Sequence, residues 1–143
     1  MSGWTYIGLI DNGSVVMACE FCSTPIRYEH IIESPQGIRK NVGVCCAAEA
    51  TDGDAPQKAE RKSKNLMRCR MNFPNRSWKL SRNGNRWLKA GPGKRYVMKK
   101  RGRCWQGLFF DDLYKNIFGD VKETFEQATL NIFDKAVAAG WRP

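Results

Sequence analysis

"RWLKAGPGKRYVMKKRGRCWQGLFF", residues 86–110, contains two turn signals, Gly91-Pro92-Gly93 and Gly102, which cut it into three short runs of alternating side chains. Short alternating runs rich in aromatic and branched residues and bounded by Gly or Pro read as strands joined by hairpins. The central run, residues 94–101, places Arg95, Val97, Lys99 and Arg101 on one face and Tyr96, Met98 and Lys100 on the other. Upstream, "SWKLS" and "RWLKA" flank "RNGN", where Asn83-Gly84 is a strong hairpin signal. Downstream, a weaker strand lies near "NIFGDV". A helix then follows: Thr124 with Gln127 forms a capping box, Phe125, Ala128, Ile132 and Ala136 fall on one face, and Gly140 marks the stop. This half of the chain predicts a three-stranded antiparallel sheet, with weaker strand-like runs beside it, and one C-terminal helix.

Before this module, "QKAERKSKNLMRCRMNF" has no Gly or Pro until Pro74, and Ala59, Leu66, Met67 and Met71 are its regular apolar positions. It predicts a basic helix with a thin apolar stripe. "TDGDAP", residues 51–56, has linker composition. The chain is therefore read as α+β with three parts: a β-rich module at 1–55, a basic linker helix at 56–73, and a sheet-plus-helix module at 74–143. In the first part, the "DNG" of residues 11–13 reads as the turn of a hairpin within residues 4–18, and the segment between the cysteine pairs reads as two strands broken by Ser34-Pro35-Gln36-Gly37.

The net charge of +10 is unevenly distributed. Residues 1–57 hold 3 basic and 7 acidic side chains, residues 58–104 hold 17 and 1, and residues 105–143 hold 4 and 6. Such a concentration of one sign raises the local density of polyanions, and nucleic acid is the most common such partner. The candidate contacts are Arg61, Lys62, Lys64 and Arg68 on the helix, then Arg82, Arg86, Lys89, Lys94, Arg95, Lys99, Lys100, Arg101 and Arg103. Trp105 and Trp87 read either as stacking platforms for bases or as core residues.

Cys19 and Cys22 have the C-x2-C spacing that offers two thiolates to one tetrahedral ion, and Cys45 and Cys46 follow at zinc-ribbon distance. On an extended strand adjacent residues face opposite sides, so both can ligate one ion only if the backbone turns sharply near Gly43. The ligands of a structural Zn²⁺ are then either all four cysteines, or Cys19, Cys22 and one of Cys45 and Cys46 with His30, the single histidine, as the fourth. Cys69 and Cys104 have no partner at metal spacing and read as core thiols. A catalytic zinc is disfavoured, because neither the deaminase arrangement nor H-E-x-x-H is present. Asp111-Asp112 is the one carboxylate pair of the C-terminal half, and no second ligand cluster accompanies it.

"CEFCSTPIRYEHIIESP" followed by "VGVCCA" resembles a set of small bacterial and mobile-element proteins with a zinc-ribbon-like start, in which C-x2-C, I-R-Y-x-H and V-G-x-x-C-A recur. The resemblance implies Cys19, Cys22 and Cys46 as ligands and matches His30. That pattern often has a further Cys two positions before the last, where Val44 stands here. "RYVMKKRGRCWQGLFF" and "TFEQATLNIFD" resemble, in the order of strands and helix, the DNA-binding modules of AP2-type factors and integrase arm domains. There the sheet enters the major groove and the helix packs behind it.

The expected function is zinc-stabilised nucleic-acid binding without catalysis, with duplex DNA preferred. An RNA-binding subunit of a ribonucleoprotein and a mobile-element adaptor or inhibitor are the alternatives. The acidic N-terminal module is the expected surface for any protein partner. The start "MSGWTYIGLID" lacks the pattern of a secretory signal, so reduced thiols and a cytoplasmic location are expected, with no membrane association.

Overall fold

The computed structural model describes residues 3–111 and 116–143 and divides into two compact units, residues 1–65 and 66–143. The protein is α+β. Of the Asp111-Asp112 pair, Asp112 lies outside the described residues.

The first unit begins with β1 (Thr5–Asp11), the short β2 (Met17–Ala18) and β3 (Pro25–Ile26), then β4 (Tyr28–Glu33), β5 (Arg39–Val42) and helix α1 (Val44–Thr51). The "DNG" turn does not close a hairpin between its flanking residues. Instead β1 pairs antiparallel with β4 in a sheet of order β1-β4-β5, and β2 pairs with β3. Asp11 explains this outcome: its Oδ1 accepts from the Gly13 amide at 2.8 Å and from Arg27 Nε at 2.8 Å. The aspartate thus shapes its own turn and ties the end of β1 to the residue before β4. Ser34 and Gly37 make the β4–β5 turn, with Gly37 N donating to Ser34 O at 2.9 Å.

Residues 44–51 form a helix, where an extended approach to the cysteines was expected. Gly43 is its N-cap, Ala47 and Ala50 are buried, and the chain leaves through Asp52 in the left-handed conformation. Alanine has the highest helix propensity, and three of these eight residues are Ala. Cys19, Ile32, Val42, Ala47 and Ala50 form the core of the unit, with Trp4, Tyr6, Phe21, Ile26 and Cys46 packed against it.

Helix α2 (Ala55–Asn72) passes through the division between the units, so the boundary falls inside the basic helix. Met71, read as part of its apolar stripe, is exposed, whereas Leu66 packs on the core of the second unit. A 3-10 turn (Phe73–Asn75) leads to β6 (Lys79–Leu80), β7 (Arg86–Gly91), β8 (Lys94–Arg101), β9 (Cys104–Asp111), β10 (Ile117–Lys122) and helix α3 (Phe125–Ala138). The sheet is an antiparallel meander of order β10-β9-β8-β7-β6, so the three central strands are extended on each side by one more. The Asn83-Gly84 turn lies in the β6–β7 loop, with Gly84 at φ +79°. Thr124 caps α3, its side chain accepting from the Gln127 amide.

One face of this sheet is covered. Phe73, Tyr96, Met98, Phe109, Ala128, Ile132, Phe133 and Ala136 form its core. Phe73 meets Tyr96 edge-on at 4.7 Å between ring centroids, and Tyr96 and Phe109 lie 4.9 Å apart. The helix can approach this closely because Gly107 has no side chain: a Cβ there would lie 2.5 Å from Ile132 Cγ2. Gly107→Ala is therefore expected to lower stability by about 3 kcal/mol, the upper end of overpacking penalties, read as a fall in the urea midpoint. An unchanged midpoint would contradict this seating of α3.

Candidate metal centre and nucleic-acid interface

The C-x2-C turn is held by its own backbone: Ser23 N donates to Cys19 O at 2.9 Å and Cys19 N to Thr24 O at 2.8 Å, with Ser23 in the left-handed region. Helix α1 supplies the third thiol. Adjacent helical residues differ by about 100° in direction, so Cys46 turns inward while Cys45 is exposed. The sulfurs of Cys19, Cys22 and Cys46 lie within 4.8 Å of one another, an arrangement compatible with a metal ion. Cys45 and His30 are outside this cluster.

His30 is engaged elsewhere. It is fully buried in β4, with Tyr6 Oη 3.0 Å from Nδ1 and Glu60 Oε2 3.1 Å from Nε2. A neutral imidazole protonated on Nε2 satisfies both neighbours, donating to Glu60 and accepting from Tyr6, and this tautomer is inferred from the network. Burial holds the His30 imidazole below the ordinary histidine range, against the opposing pull of Glu60. Sequence reasoning missed this Tyr6–His30–Glu60 chain, because its members are dispersed along the chain and have no motif spacing. It also missed Glu49, which lines one open depression with Cys22 and Cys46. Their i, i+3 spacing would have shown it only once 44–51 was known to be helical.

The thiols differ sharply in acidity. Hydrogen bonding, first from Thr24, lowers the Cys22 thiol to about 7, while burial pushes the Cys46 thiol up to about 12. Of the two, the Cys22 thiol is the readier to act as a thiolate donor, and a bound cation would offset the effect of burial on Cys46. Cys69 is exposed and Cys104 half-buried, so neither is the core thiol expected.

In the second unit the antiparallel register sorts the basic residues by face, since directly opposed residues share one. Lys79, Trp87, Val97, Leu108 and Phe118 are paired in succession across all five strands on the face away from α3. Lys89, Arg95 and Phe110 form a second row, Lys99 and Gln106 a third, and Arg101 with Cys104 a fourth. None of these positions holds a carboxylate. Phe118 is 60% exposed, Trp87 is half-buried, and Leu108 is buried within the row. Cations rest against the rings: Lys79 Nζ is 4.9 Å from the Trp87 centroid and Arg95 Cζ is 5.5 Å from that of Phe110.

The opposite face takes several of the other candidates. Trp105 packs edge-on against Phe125 of α3 at 5.2 Å, with Arg86 and Lys100 over its ring. It is thus half-buried against the covered core, and only Trp87 of the two tryptophans lies on the open face. Lys94 pairs with Asp111 on the same side as Tyr96 and Met98. Arg82 and Arg103 are exposed in the β6–β7 and β8–β9 turns, and Arg61, Lys62, Lys64 and Arg68 are exposed on α2. Lys64 also pairs with Glu60 at 3.2 Å. Lys79 and Phe118 were missed from the sequence because their face is defined only by the register of β6 and β10, and Phe110 because its face is set by its pairing with Arg95 across β8 and β9.

No protein-family model matches the chain, and comparison with curated proteins and with solved structures finds no match.

Two outcomes are expected. Cys46→Ser should weaken cobalt(II) uptake at least about tenfold, read from the thiolate charge-transfer band, whereas Cys45→Ser should leave it unchanged; equal losses would contradict the cluster. The single histidine ring signal in proton NMR should titrate below the ~6.5 of a free side chain. Because the unfolded chain takes up that proton first, the stability contributed by neutral His30 is present above the unfolded value and is lost as pH falls through the folded one. A midpoint at or above 6.5 would contradict the buried neutral assignment.

Proposed function

We propose that the protein binds nucleic acid through the open face of the second unit's sheet, and that a structural Zn²⁺ holds the first unit together. The observation that carries the first part is the register: Lys79, Lys89, Arg95, Lys99 and Arg101 project from one face with no carboxylate among them, beside Trp87 and Phe118. A surface of this sign exchanges condensed counterions for its own cations when a phosphate backbone docks, and the gain in affinity is largest at low salt. Within the same unit, exposed Arg68 and the hairpin-turn residues Arg82 and Arg103 add to the positive charge.

Zinc is favoured for the first unit by the softness of the donors. Three thiolates suit Zn²⁺ and offer little to Mg²⁺ or Ca²⁺, which prefer oxygen. The ion would be held by Cys19 and Cys22 in the turn and Cys46 in α1, joining segments that share only a small core. When bound it would serve as a crosslink, stabilising a unit too small to bury much apolar surface.

The test is the anisotropy of labelled duplex DNA, single-stranded DNA and hairpin RNA titrated with zinc-loaded protein across a salt series. The expected slope of log K against log salt is about −3 to −4 for the best ligand, corresponding to roughly four or five neutralised phosphates. Lys99→Glu combined with Arg101→Glu should weaken binding more than about tenfold and flatten the slope, whereas Lys58→Glu on α2 should have a smaller effect. Negligible binding of all three ligands at low salt would sink the proposal.

A further inference from the structure

We infer that the ligand of the open sheet face is single-stranded nucleic acid, its bases stacked on Trp87 and Phe118 while Lys89, Arg95, Lys99 and Arg101 hold its phosphates. This rests on the nucleic-acid reading above and narrows it. Two features of the face point the same way.

The first is width. Five strands at a spacing of about 4.8 Å make a surface about 19 Å across, whereas the major groove of B-form DNA is about 12 Å wide and admits a helix or a two-stranded ribbon. The broad face cannot lie flat in that groove, and a duplex resting on it would meet the protein only along a narrow line of its convex backbone. A single strand can instead be laid across the strands and touch every row.

The second is the apolar row. Trp87 and Phe118 stand at the two ends of a row across the middle of the sheet, with half-buried Val97 and buried Leu108 between them and cationic rows on one side and the other. A face evolved only to neutralise duplex phosphates gains nothing from an exposed phenylalanine, because paired bases keep their π-faces inside the stack. Unpaired bases present those faces and stack on aromatic side chains irrespective of sequence. Phe118 is 60% exposed at one end of the row. At the other end, the Lys79 ammonium over the Trp87 ring already occupies the kind of contact that a base would take, and on displacement it is free to meet a phosphate.

The experiment compares a labelled 12-nucleotide oligo(dT), its oligo(U) counterpart and a 12-base-pair duplex, each titrated at fixed moderate salt with the full-length zinc-loaded protein. The single strands are expected to bind at least about tenfold more tightly than the duplex, and the ratio of oligo(U) to oligo(dT) tells RNA from DNA. Trp87→Ala and Phe118→Ala should each weaken single-strand binding by about 5- to 150-fold, the range for loss of one stacked base, with the salt slope unchanged. Trp87→Phe should restore most of the affinity, which separates loss of stacking from loss of fold, and circular dichroism checks the alanine variants. A duplex bound as tightly as the single strands, or full affinity in both alanine variants, would overturn the inference while leaving nucleic-acid binding in place. Absence of binding to all three ligands would overturn both. Self-association of the free protein that Phe118→Ala abolishes would mean that a second copy of the chain covers the row, and would also overturn it.

Discussion

Ile132 of α3 rests against the backbone of Gly107, so close that a single methyl group at that glycine would collide with it. That contact decides which face of the meander becomes core. Once the helix is seated on β9, Tyr96, Met98 and Phe109 must point toward it, and strand alternation sends Arg95, Val97, Lys99 and Arg101 the other way. The basic residues of the central segment are thereby divided into those that cap the edges of the core, such as Arg86 and Lys100 over Trp105, and those left together on an uncovered surface. The concentration of positive charge is a property of the sequence, but its usefulness as a surface comes from one-sided packing.

The first unit solves a different problem. Its sheet has three strands and its helix eight residues, so the apolar core is small. A buried polar chain supplements it. His30 is fully buried between Tyr6 and Glu60, linking β1, β4 and α2 through hydrogen bonds that a neutral ring satisfies completely. Buried polar groups cost stability when a partner is removed, so this chain fixes the position of α2's first turns as much as it stabilises them. The thiols of Cys19, Cys22 and Cys46 converge between a tight turn and the start of α1, an arrangement that could hold a metal ion.

Much of the second unit was legible because its signals are local. Turn glycines at 84, 91 and 102, period-two alternation over residues 94–101 and the Thr124 cap with Gln127 each constrain the backbone where they stand. What escaped depended on partners distant in the chain. The "DNG" turn signal points to a hairpin between its nearest neighbours, but Asp11 is committed to Arg27. Helix α1 escaped because it is short, has no side-chain cap and begins with Val and two cysteines, so only its alanines argue for it. That omission left Cys45 and Cys46 undecided, since on a strand they oppose each other and on a helix they are about 100° apart. A site short of one donor points to His30 as a ligand, and its actual partners Tyr6 and Glu60 become visible only with the fold. Likewise, nothing in the strand patterns distinguishes Trp87 from Trp105 until the register assigns each to a face.

The most direct test is amide NMR mapping of the zinc-loaded protein titrated with oligo(dT) of 12 nucleotides. Shifts are expected to concentrate on the strands at Trp87, Lys89, Arg95, Val97, Lys99, Arg101 and Phe118, with residues 128–136 of α3 little changed. Shifts confined to α2 and the first unit, with the sheet silent, would contradict the assignment of this face as the binding surface.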